Sequence, residues 1–284
     1  MIQKVKRKTF TIRPSGRSTD FISPSFGYGC LYDCSYCYMK RHKPGGLSVA
    51  TNTGDILTAI NNHAFFTPVD KPNQTHAKYT TYDISCNEDF ALHAKYHEWE
   101  RIFEFFRDHP VAMGSLATKY VNRSLLLFNP EGKIRIRFSL MPQYMSDIHE
   151  PHTSKIIDRI KAIDQFIDAG YDVHVNFSPV IVEDNWLEDY ENLFKLLDKH
   201  VSNKDKVLAE VIFLTHNEKK HQENLTRHPE AEPHLWNPAV QEEKTSQFGG
   251  TNVRYARHLK SLYIDAFTAL HDRIIPWNTI RYIF

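Results

Sequence analysis

The sequence has few of the features that mark secreted, membrane-spanning or strongly basic proteins. Only four of its 284 residues are cysteines, which indicates a reducing compartment rather than a disulfide-rich exterior. No apolar run approaches the length of a membrane span, and the basic N-terminus lacks the apolar segment of a secretory signal. A net charge of +1 does not by itself indicate a nucleic-acid partner. We therefore expect a cytoplasmic protein without a membrane partner.

The charge is nevertheless unevenly distributed along the chain. Residues 1–17 contain six cations and no acid. The cations are Lys4, Lys6, Arg7, Lys8, Arg13 and Arg17. Two further basic groups lie at 133–137 and 254–260, and acidic stretches at 183–189 and 230–243 offset them. The charge pattern leaves open whether these groups bind phosphate or form ordinary solvated surface.

Strand-like and helix-like segments alternate over most of the chain. The predicted strands are 21–28, 79–85, 112–120, 134–140, 173–182, 207–215 and 279–284. The predicted helices are 98–107, 153–170 and 186–200, and Gly170 is a natural residue to end the second one. Repeated βα units favour a parallel sheet or barrel, whose chemistry lies on loops at the C-terminal ends of the strands.

Three regions are expected along the chain. A basic N-terminal segment covers residues 1–20, and the α/β barrel covers residues 21–215. The remaining residues, 216–284, are predicted to form a C-terminal extension with closing elements. Within it, the polar, proline-containing stretch 216–248 is predicted to be an irregular excursion or lid.

Three of the cysteines are crowded into one short loop as Cys30-x3-Cys34-x2-Cys37. Three thiolates can hold three irons of a [4Fe-4S] cluster and leave the fourth iron open for a reacting molecule. A zinc site of three cysteines with His42 is the alternative, although Leu47 stands where a zinc knuckle would need a cysteine. Purely structural buried thiols are a further alternative. The crowding favours the cluster.

An aromatic residue, Tyr36, directly precedes the third cysteine, and the whole motif resembles that of radical S-adenosylmethionine (SAM) enzymes. Beyond it, the chain resembles the spore photoproduct lyase family in a series of ordered segments. They include Ser85-Cys86, Thr118-Lys119-Tyr120, Arg135-Ile136-Arg137-Phe138-Ser139, Glu150-Pro151-His152-Thr153-Ser154, Ala169-Gly170-Tyr171 and Ser178-Pro179. The resemblance implies a partial (β/α)6 TIM-type barrel with a [4Fe-4S] cluster and SAM as cofactors.

The resemblance also implies roles for individual residues. Cys30, Cys34 and Cys37 would hold the cluster. Cys86 would donate a hydrogen atom to a substrate radical, with Tyr36 and Tyr38 relaying the radical back toward the cofactor. The residues expected to contact SAM are Asp89, Lys119, Ser139 and Gly16, and those expected to contact substrate are Arg254 and Tyr255.

The implied reaction uses a 5′-deoxyadenosyl radical to attack a thymine-type base in DNA or a thymine-containing nucleotide, as in the repair of a thymine dimer. The implied electron donor is flavodoxin-like or ferredoxin-like. At two places near the expected active site, the sequence departs from the family pattern. Asn87-Glu88 replaces Thr-Ser, which puts an extra acid near the cofactor, and the 243–250 segment lacks the family's basic and aromatic hairpin. Two alternatives therefore remain: a radical SAM rearrangement of a modified thymidine or other small molecule, and a zinc-bound nucleic-acid-binding module.

Overall fold

The structure is a computed structural model that describes residues 2–37, 39, 46–66, 71–245 and 251–284. The strands of these residues are β1 (Ile2–Val5), β2 (Arg13–Pro14), β3 (Phe21–Ile22), β4 (Gly27–Gly29), β5 (Leu47–Ala50), β6 (Thr80–Asp83), β7 (Ala112–Thr118), β8 (Ile134–Ser139), β9 (Asp172–Val180), β10 (Leu208–Phe213), β11 (Thr215–Asn217), β12 (Gln241–Thr245), β13 (Thr251–Tyr255) and β14 (Thr279–Ile283). The helices are α1 (Thr53–Phe66), α2 (Phe90–His93), α3 (Trp99–Asp108), α4 (Gln143–His149), α5 (Ile156–Asp168), α6 (Trp186–His200), α7 (Glu218–Arg227), α8 (Glu232–Leu235) and α9 (Arg257–Ile274).

The largest sheet has eight strands in the order β14-β10-β9-β8-β7-β6-β3-β2. Neighbours from β3 to β8 pair in parallel, as do β10 and β14, whereas β2 is an antiparallel edge. Parallel neighbours need long crossovers, and α3, α5 and α6 supply them between successive strands. The α/β class predicted from the sequence is confirmed. Two three-stranded sheets, β1-β5-β4 and β11-β13-β12, accompany it.

The chain divides into two compact units. The first comprises residues 1–31, 39–138 and 162–174, and the second comprises residues 32–38, 139–161 and 175–284. Within the first, Ile102, Phe103 and Phe106 project from α3 at helical spacing and are fully buried. Within the second, Phe267 of α9 packs its ring against those of Phe177 and Phe194, at centroid distances of 5.8 and 5.4 Å. Each unit therefore has its own aromatic core.

Gly170 ends α5 as predicted. Its φ is +93°, a conformation that glycine adopts without strain. The N–H of Gly170 donates to the carbonyl of Ile167 and that of Tyr171 to the carbonyl of Phe166, at 2.9 and 3.0 Å. This pair of bonds is a Schellman motif, and the rings of Tyr171 and Phe166, 5.2 Å apart, supply its usual apolar contact.

The structure differs from the predictions in several regions. Helices α1, α4 and α9 and strands β1 and β5 were not predicted, and two predicted segments have a different structure. The strand predicted at 21–28 is divided into β3 and β4, with Pro24, which has no N–H for a sheet ladder, between them. The stretch 216–248, predicted to be irregular, contains β11, α7, α8 and β12; its last residues, 246–248, lie outside the described part of the chain. Helix α7 escaped notice because its buried residues are the polar Lys220 and Asn224, so the apolar periodicity is absent. Among the described residues, no helix combines the length and apolarity needed to cross a membrane.

Candidate active site

Cys86 lies in a turn just after the C-terminal end of β6, in the first unit. The turn is closed by the N–H of Glu88, which donates to the carbonyl of Ser85 at 3.1 Å. Ser85 is fixed on both sides, because its N–H donates to Asp83 Oδ1 at 2.8 Å and its Oγ accepts from the N–H of Ala117 at 3.0 Å. The Cys86 thiol is half-buried. The turn that carries this thiol is thus anchored to both β6 and β7.

Two arginines that looked in the sequence like part of a basic surface are instead buried. Arg137 of β8 donates to Asp83 Oδ2 at 2.8 Å, and Arg135 donates to Asp172 Oδ2 at 2.7 Å. Their side chains are only 4% and 2% exposed. The 133–137 group therefore stabilises the interior of the first unit, and Arg137 supports the Cys86 turn through Asp83.

Asp89 is the N-cap of α2, where its side chain accepts from the N–H of Leu92 at 3.1 Å. The same carboxylate accepts from the Thr118 hydroxyl at 2.7 Å and from the N–H of Lys119 at 2.9 Å. The structure therefore brings together two residues predicted to bind SAM, Asp89 and Lys119, at the end of β7. Asp89 is largely buried, and three internal bonds engage its oxygens.

Glu88, the acid introduced by the departure from the family pattern, points into a cluster with two histidines. Its Oε2 lies 3.0 Å from Nδ1 of His93 and 2.9 Å from Nε2 of His97, and the side chain is 1% exposed. Burial alone would raise the pKa of Glu88, but the charges and hydrogen bonds of the two histidines lower it to about 2. His93 Nε2 also accepts from the N–H of Leu31 at 3.3 Å, which ties this cluster to the residue after Cys30.

The stretch between Cys34 and Cys37 is held by other residues of the second unit. The N–H of Ser35 donates to the carbonyl of His149 at 3.0 Å, and Ser35 Oγ lies 2.7 Å from His149 Nδ1. The carbonyl of Ser35 accepts from Asn224 Nδ2 at 2.8 Å, and Asn224 also donates to Glu232 Oε2 at 2.6 Å. All the polar groups of Ser35 are engaged, so the backbone beside both cysteines is fixed.

Tyr36, the predicted radical relay, donates its hydroxyl to Glu150 Oε1. Burial and the neighbouring Glu150 carboxylate raise the pKa of Tyr36, so the phenol keeps its proton. Arg159 pairs with Glu150 Oε2 at 2.8 Å and donates to the carbonyl of Ser139 at 2.8 Å. Tyr36 and Ser139 are thus joined through one buried ion pair.

The chemistry of the donors fits an iron–sulfur cluster, whose irons are held by cysteine thiolates. None of the three cysteines is in a disulfide; Cys30 and Cys34 are buried and Cys37 is half-buried. His42, the fourth ligand of the zinc alternative, and Tyr38, the second predicted relay, lie outside the described residues.

The remaining residues that were predicted to bind SAM or substrate are Gly16, Arg254 and Tyr255. Gly16 is exposed, and a Cβ there would meet nothing within 4 Å, so the chain itself does not require glycine at this position. Arg254 donates to Glu242 Oε1 at 2.9 Å across the β12–β13 hairpin. Tyr255 is 2% exposed, its hydroxyl accepts from the N–H of Val182 at 2.8 Å, and burial raises its pKa. Both predicted substrate residues are held by internal partners.

The sequence patterns missed the residues that support the candidate site. His149, Asn224 and Glu232 hold the cysteine loop, while His93 and His97 hold Glu88. Among the supporting residues, Glu150 stands in a segment that matched the family pattern. The others are buried polar residues whose partners are distant in sequence, so no local pattern identifies them.

Comparison with known proteins relates this geometry to a family. The family model described as spore photoproduct lyase matches residues 3–284. Spore photoproduct lyase of Bacillus subtilis (strain 168) is 29% identical over 198 residues, which are 68% of this chain and 55% of the relative. That of Geobacillus sp. (strain Y412MC61) is 26% identical over 204 residues, 70% of this chain and 57% of the relative. The chain thus spans little more than half the length of these curated relatives.

Solved structures agree on the fold. A mutant spore photoproduct lyase with bound SAM and dinucleoside spore photoproduct aligns with a TM-score of 0.88 and 19% identity, over 100% of this chain and 82% of that chain. A second lyase, complexed with dinucleoside spore photoproduct, gives 0.87 and 20% over the same shares. The predicted partial barrel is confirmed. The loop of three thiols, in a chain that a family model matches from residue 3 to residue 284, defines the class as radical SAM enzymes. Within that class, the chain belongs to the spore photoproduct lyase family.

Proposed function

We propose that this protein is a radical SAM lyase that repairs a thymine dimer, the spore photoproduct, in DNA. One observation carries the proposal: a family model matches residues 3–284 of a chain that has both a three-thiol loop and a separate thiol, Cys86, after β6. Solved members of the family bind SAM and dinucleoside spore photoproduct, which supports the same substrate here. The cluster needs reduced cysteines, which supports a cytoplasmic location.

Cys30, Cys34 and Cys37 would hold the [4Fe-4S] cluster. When bound, the reduced cluster and SAM supply a 5′-deoxyadenosyl radical that takes a hydrogen atom from the substrate. Lys119 would pair with the SAM carboxylate, and the bond from its backbone N–H to Asp89, which orders the end of β7, supports this role. A flavodoxin-like or ferredoxin-like protein is the proposed source of the electron.

Cys86 would quench the product radical. Its S–H bond breaks homolytically and a C–H bond forms on the substrate, which leaves a thiyl radical on sulfur. Tyr36 would reduce that thiyl to a thiolate by giving up one electron, and its phenolic proton would pass to Glu150, which already accepts the hydroxyl bond. The tyrosyl radical left on Tyr36 would then carry the radical back toward the cofactor.

A second function is favoured by the charge of the hairpin. Strands β12 and β13 carry Glu242 and Glu243 against Lys244 and Arg254, and Arg254 pairs with Glu242. The described strands of this hairpin therefore offer no net positive charge to a phosphate backbone, which supports a radical SAM reaction on a modified thymidine or another small molecule. The two functions share the radical machinery and differ only in the substrate.

Anaerobic reconstitution followed by product analysis tests the proposal. With wild-type holoenzyme, dimer-containing DNA should yield repaired thymines, and undamaged DNA should yield nothing. Cys34→Ala should form no 5′-deoxyadenosine, whereas Cys86→Ala should still cleave SAM but release altered thymine products. SAM cleavage without repair of dimer DNA would favour the small-molecule function. A colourless protein holding one zinc per chain would refute both.

A further inference from the structure

The basic N-terminal segment is the one basic group of the sequence whose cations are mostly exposed in the described residues. Arg135 and Arg137 are buried in ion pairs, and Arg254 pairs with Glu242. By contrast, Lys6 and Lys8 are exposed. Of the arginines and the lysine in the 254–260 group, only Arg257 is exposed, so among these basic groups the densest exposed positive charge lies at residues 4–8.

This segment is docked firmly on the first unit. Strand β1 pairs in parallel with β5, from Ile2 opposite Leu47 to Val5 opposite Ala50. Just beyond β1, the N–H of Arg7 donates to Asn52 Oδ1 at 2.8 Å, and Asn52 Nδ2 donates back to the carbonyl of Arg7 at 3.1 Å. Because the N–H and the carbonyl of Arg7 are both hydrogen-bonded, Lys6 and Lys8 project from a fixed stretch of backbone.

The Arg7 side chain turns inward while its neighbours point to solvent. Its Nε donates to the carbonyl of Ser25 at 3.2 Å, and NH2 donates to the carbonyl of Ser48 at 3.1 Å. The guanidinium lies 4.4 Å from the centre of the Tyr28 ring, a cation–π contact. Arg7 therefore contributes fixed positive charge to the floor of a cleft.

That cleft has a volume of about 400 Å³. Its walls are formed by Gln3, Val5, Lys6, Arg7, Lys8, Thr9, Ser25, Tyr28 and Ser48. Apart from Val5, these side chains supply cationic and neutral hydrogen-bond donors, and none of them is a carboxylate. Such a lining selects an oxyanion, and alternating cations with hydroxyls are typical of contacts to phosphate and sugar.

We propose that Lys6, Arg7 and Lys8 form a binding site for the phosphodiester backbone of the DNA substrate; the inference rests on the proposed repair function. The site would give the phosphate backbone the positively charged contacts that β12 and β13, with two acids and two cations, do not offer as a net charge. The proposed phosphate site is also close to the turn that carries Cys86. Tyr28 of β4 lines the cleft, and the next residue, Gly29, donates its N–H to the carbonyl of Asn87 at 3.0 Å, beside Cys86.

The test is the salt dependence of DNA binding. Fluorescence anisotropy with a dimer-containing duplex gives the slope of log K against log salt for the wild-type holoenzyme and for Lys6→Gln/Lys8→Gln. Each lost phosphate contact lowers the slope by about 0.9, so the double variant should lose about 2. The matched control, Lys199→Gln/Lys219→Gln, removes two charges from exposed positions of α6 and α7 and should keep the wild-type slope.

Three outcomes would overturn the inference. One is an unchanged slope for the Lys6/Lys8 variant. Another is an equal loss in the control variant. The third is a loss of affinity for thymidine monophosphate, at matched ionic strength, without a loss for the duplex, which would indicate a site for a single small anion. Product formation by the wild-type holoenzyme tests the repair function separately, so either idea can fail alone.

Discussion

Replacing Gly27 with alanine should destabilise the protein through Glu88 alone. A Cβ on Gly27 would lie 2.5 Å from both Cδ and Oε2 of Glu88, well inside van der Waals contact. A flexible exposed side chain would move aside at little cost. Glu88 is 1% exposed and bonded to both His93 and His97, so moving it breaks charge-assisted bonds worth about 1.5–3 kcal/mol each. We expect Gly27→Ala to lower the free energy of unfolding by about 2–4 kcal/mol.

A double-mutant cycle isolates this interaction. Glu88→Ser shortens the side chain to the serine that the family pattern has at this position, and Gly27→Ala should then cost less than about 1 kcal/mol. Urea unfolding of the anaerobically purified protein measures all four variants. Equal costs of Gly27→Ala in the two backgrounds would refute the reasoning, because the cost would then arise from the backbone or from another neighbour.

Gly54→Ala is the matched control for this cycle. A Cβ at Gly54 would lie 2.9 Å from NH2 of Arg101, a contact almost as close as that at Gly27. The Arg101 side chain is 57% exposed and can rotate into solvent. Since alanine also favours the helix by about 1 kcal/mol over glycine, Gly54→Ala should be neutral or stabilising.

Three further predictions rest on single contacts. The pKa of Glu88 is lowered from 4.5 to about 2. The ionised carboxylate therefore stabilises the folded protein by at most about 3 kcal/mol above pH 4.5, and this stabilisation is lost as the pH falls toward 2. In acid titrations, the stability advantage of wild type over Glu88→Gln should shrink over that range. Gly170→Ala, at a φ of +93°, should lower the unfolding free energy by about 1–3 kcal/mol in urea. Asn224→Leu removes the donor to the Ser35 carbonyl, and an iron chelator should bleach its reconstituted cluster about tenfold faster; the exposed change Gln222→Ala on the same helix should leave that rate unaltered.

The elements of the main sheet could be predicted because their buried residues are apolar and repeat with the period of the element. Helix α6 was predicted from 186 to 200 and occupies those residues. Its buried positions, Trp186, Tyr190, Leu193, Phe194 and Leu197, recur at three- and four-residue intervals. In such segments the sequence pattern and the packing carry the same information.

The C-terminal extension could not be predicted in this way. Helix α7 buries Asn224 and Lys220, and α8 buries Glu232, so a search for apolar periodicity finds only a polar stretch. The Asn224 amide is held by the Ser35 carbonyl and by Glu232, and Glu232 also contacts His216 and His221. Asn224 and Ser35, for example, are separated by 189 residues. Long-range pairing of this kind leaves no local trace.

The same limit applies to the candidate site, where the thiols could be predicted but their supports could not. In each unit a buried serine lies next to a cysteine expected to react: Ser85 precedes Cys86, and Ser35 follows Cys34. Both hydroxyls are engaged, with Ala117 and His149 respectively. A hydroxyl is the smallest side chain that both donates and accepts a hydrogen bond. It can therefore fix the backbone beside a thiol without adding a charge that would shift the reactivity of the sulfur.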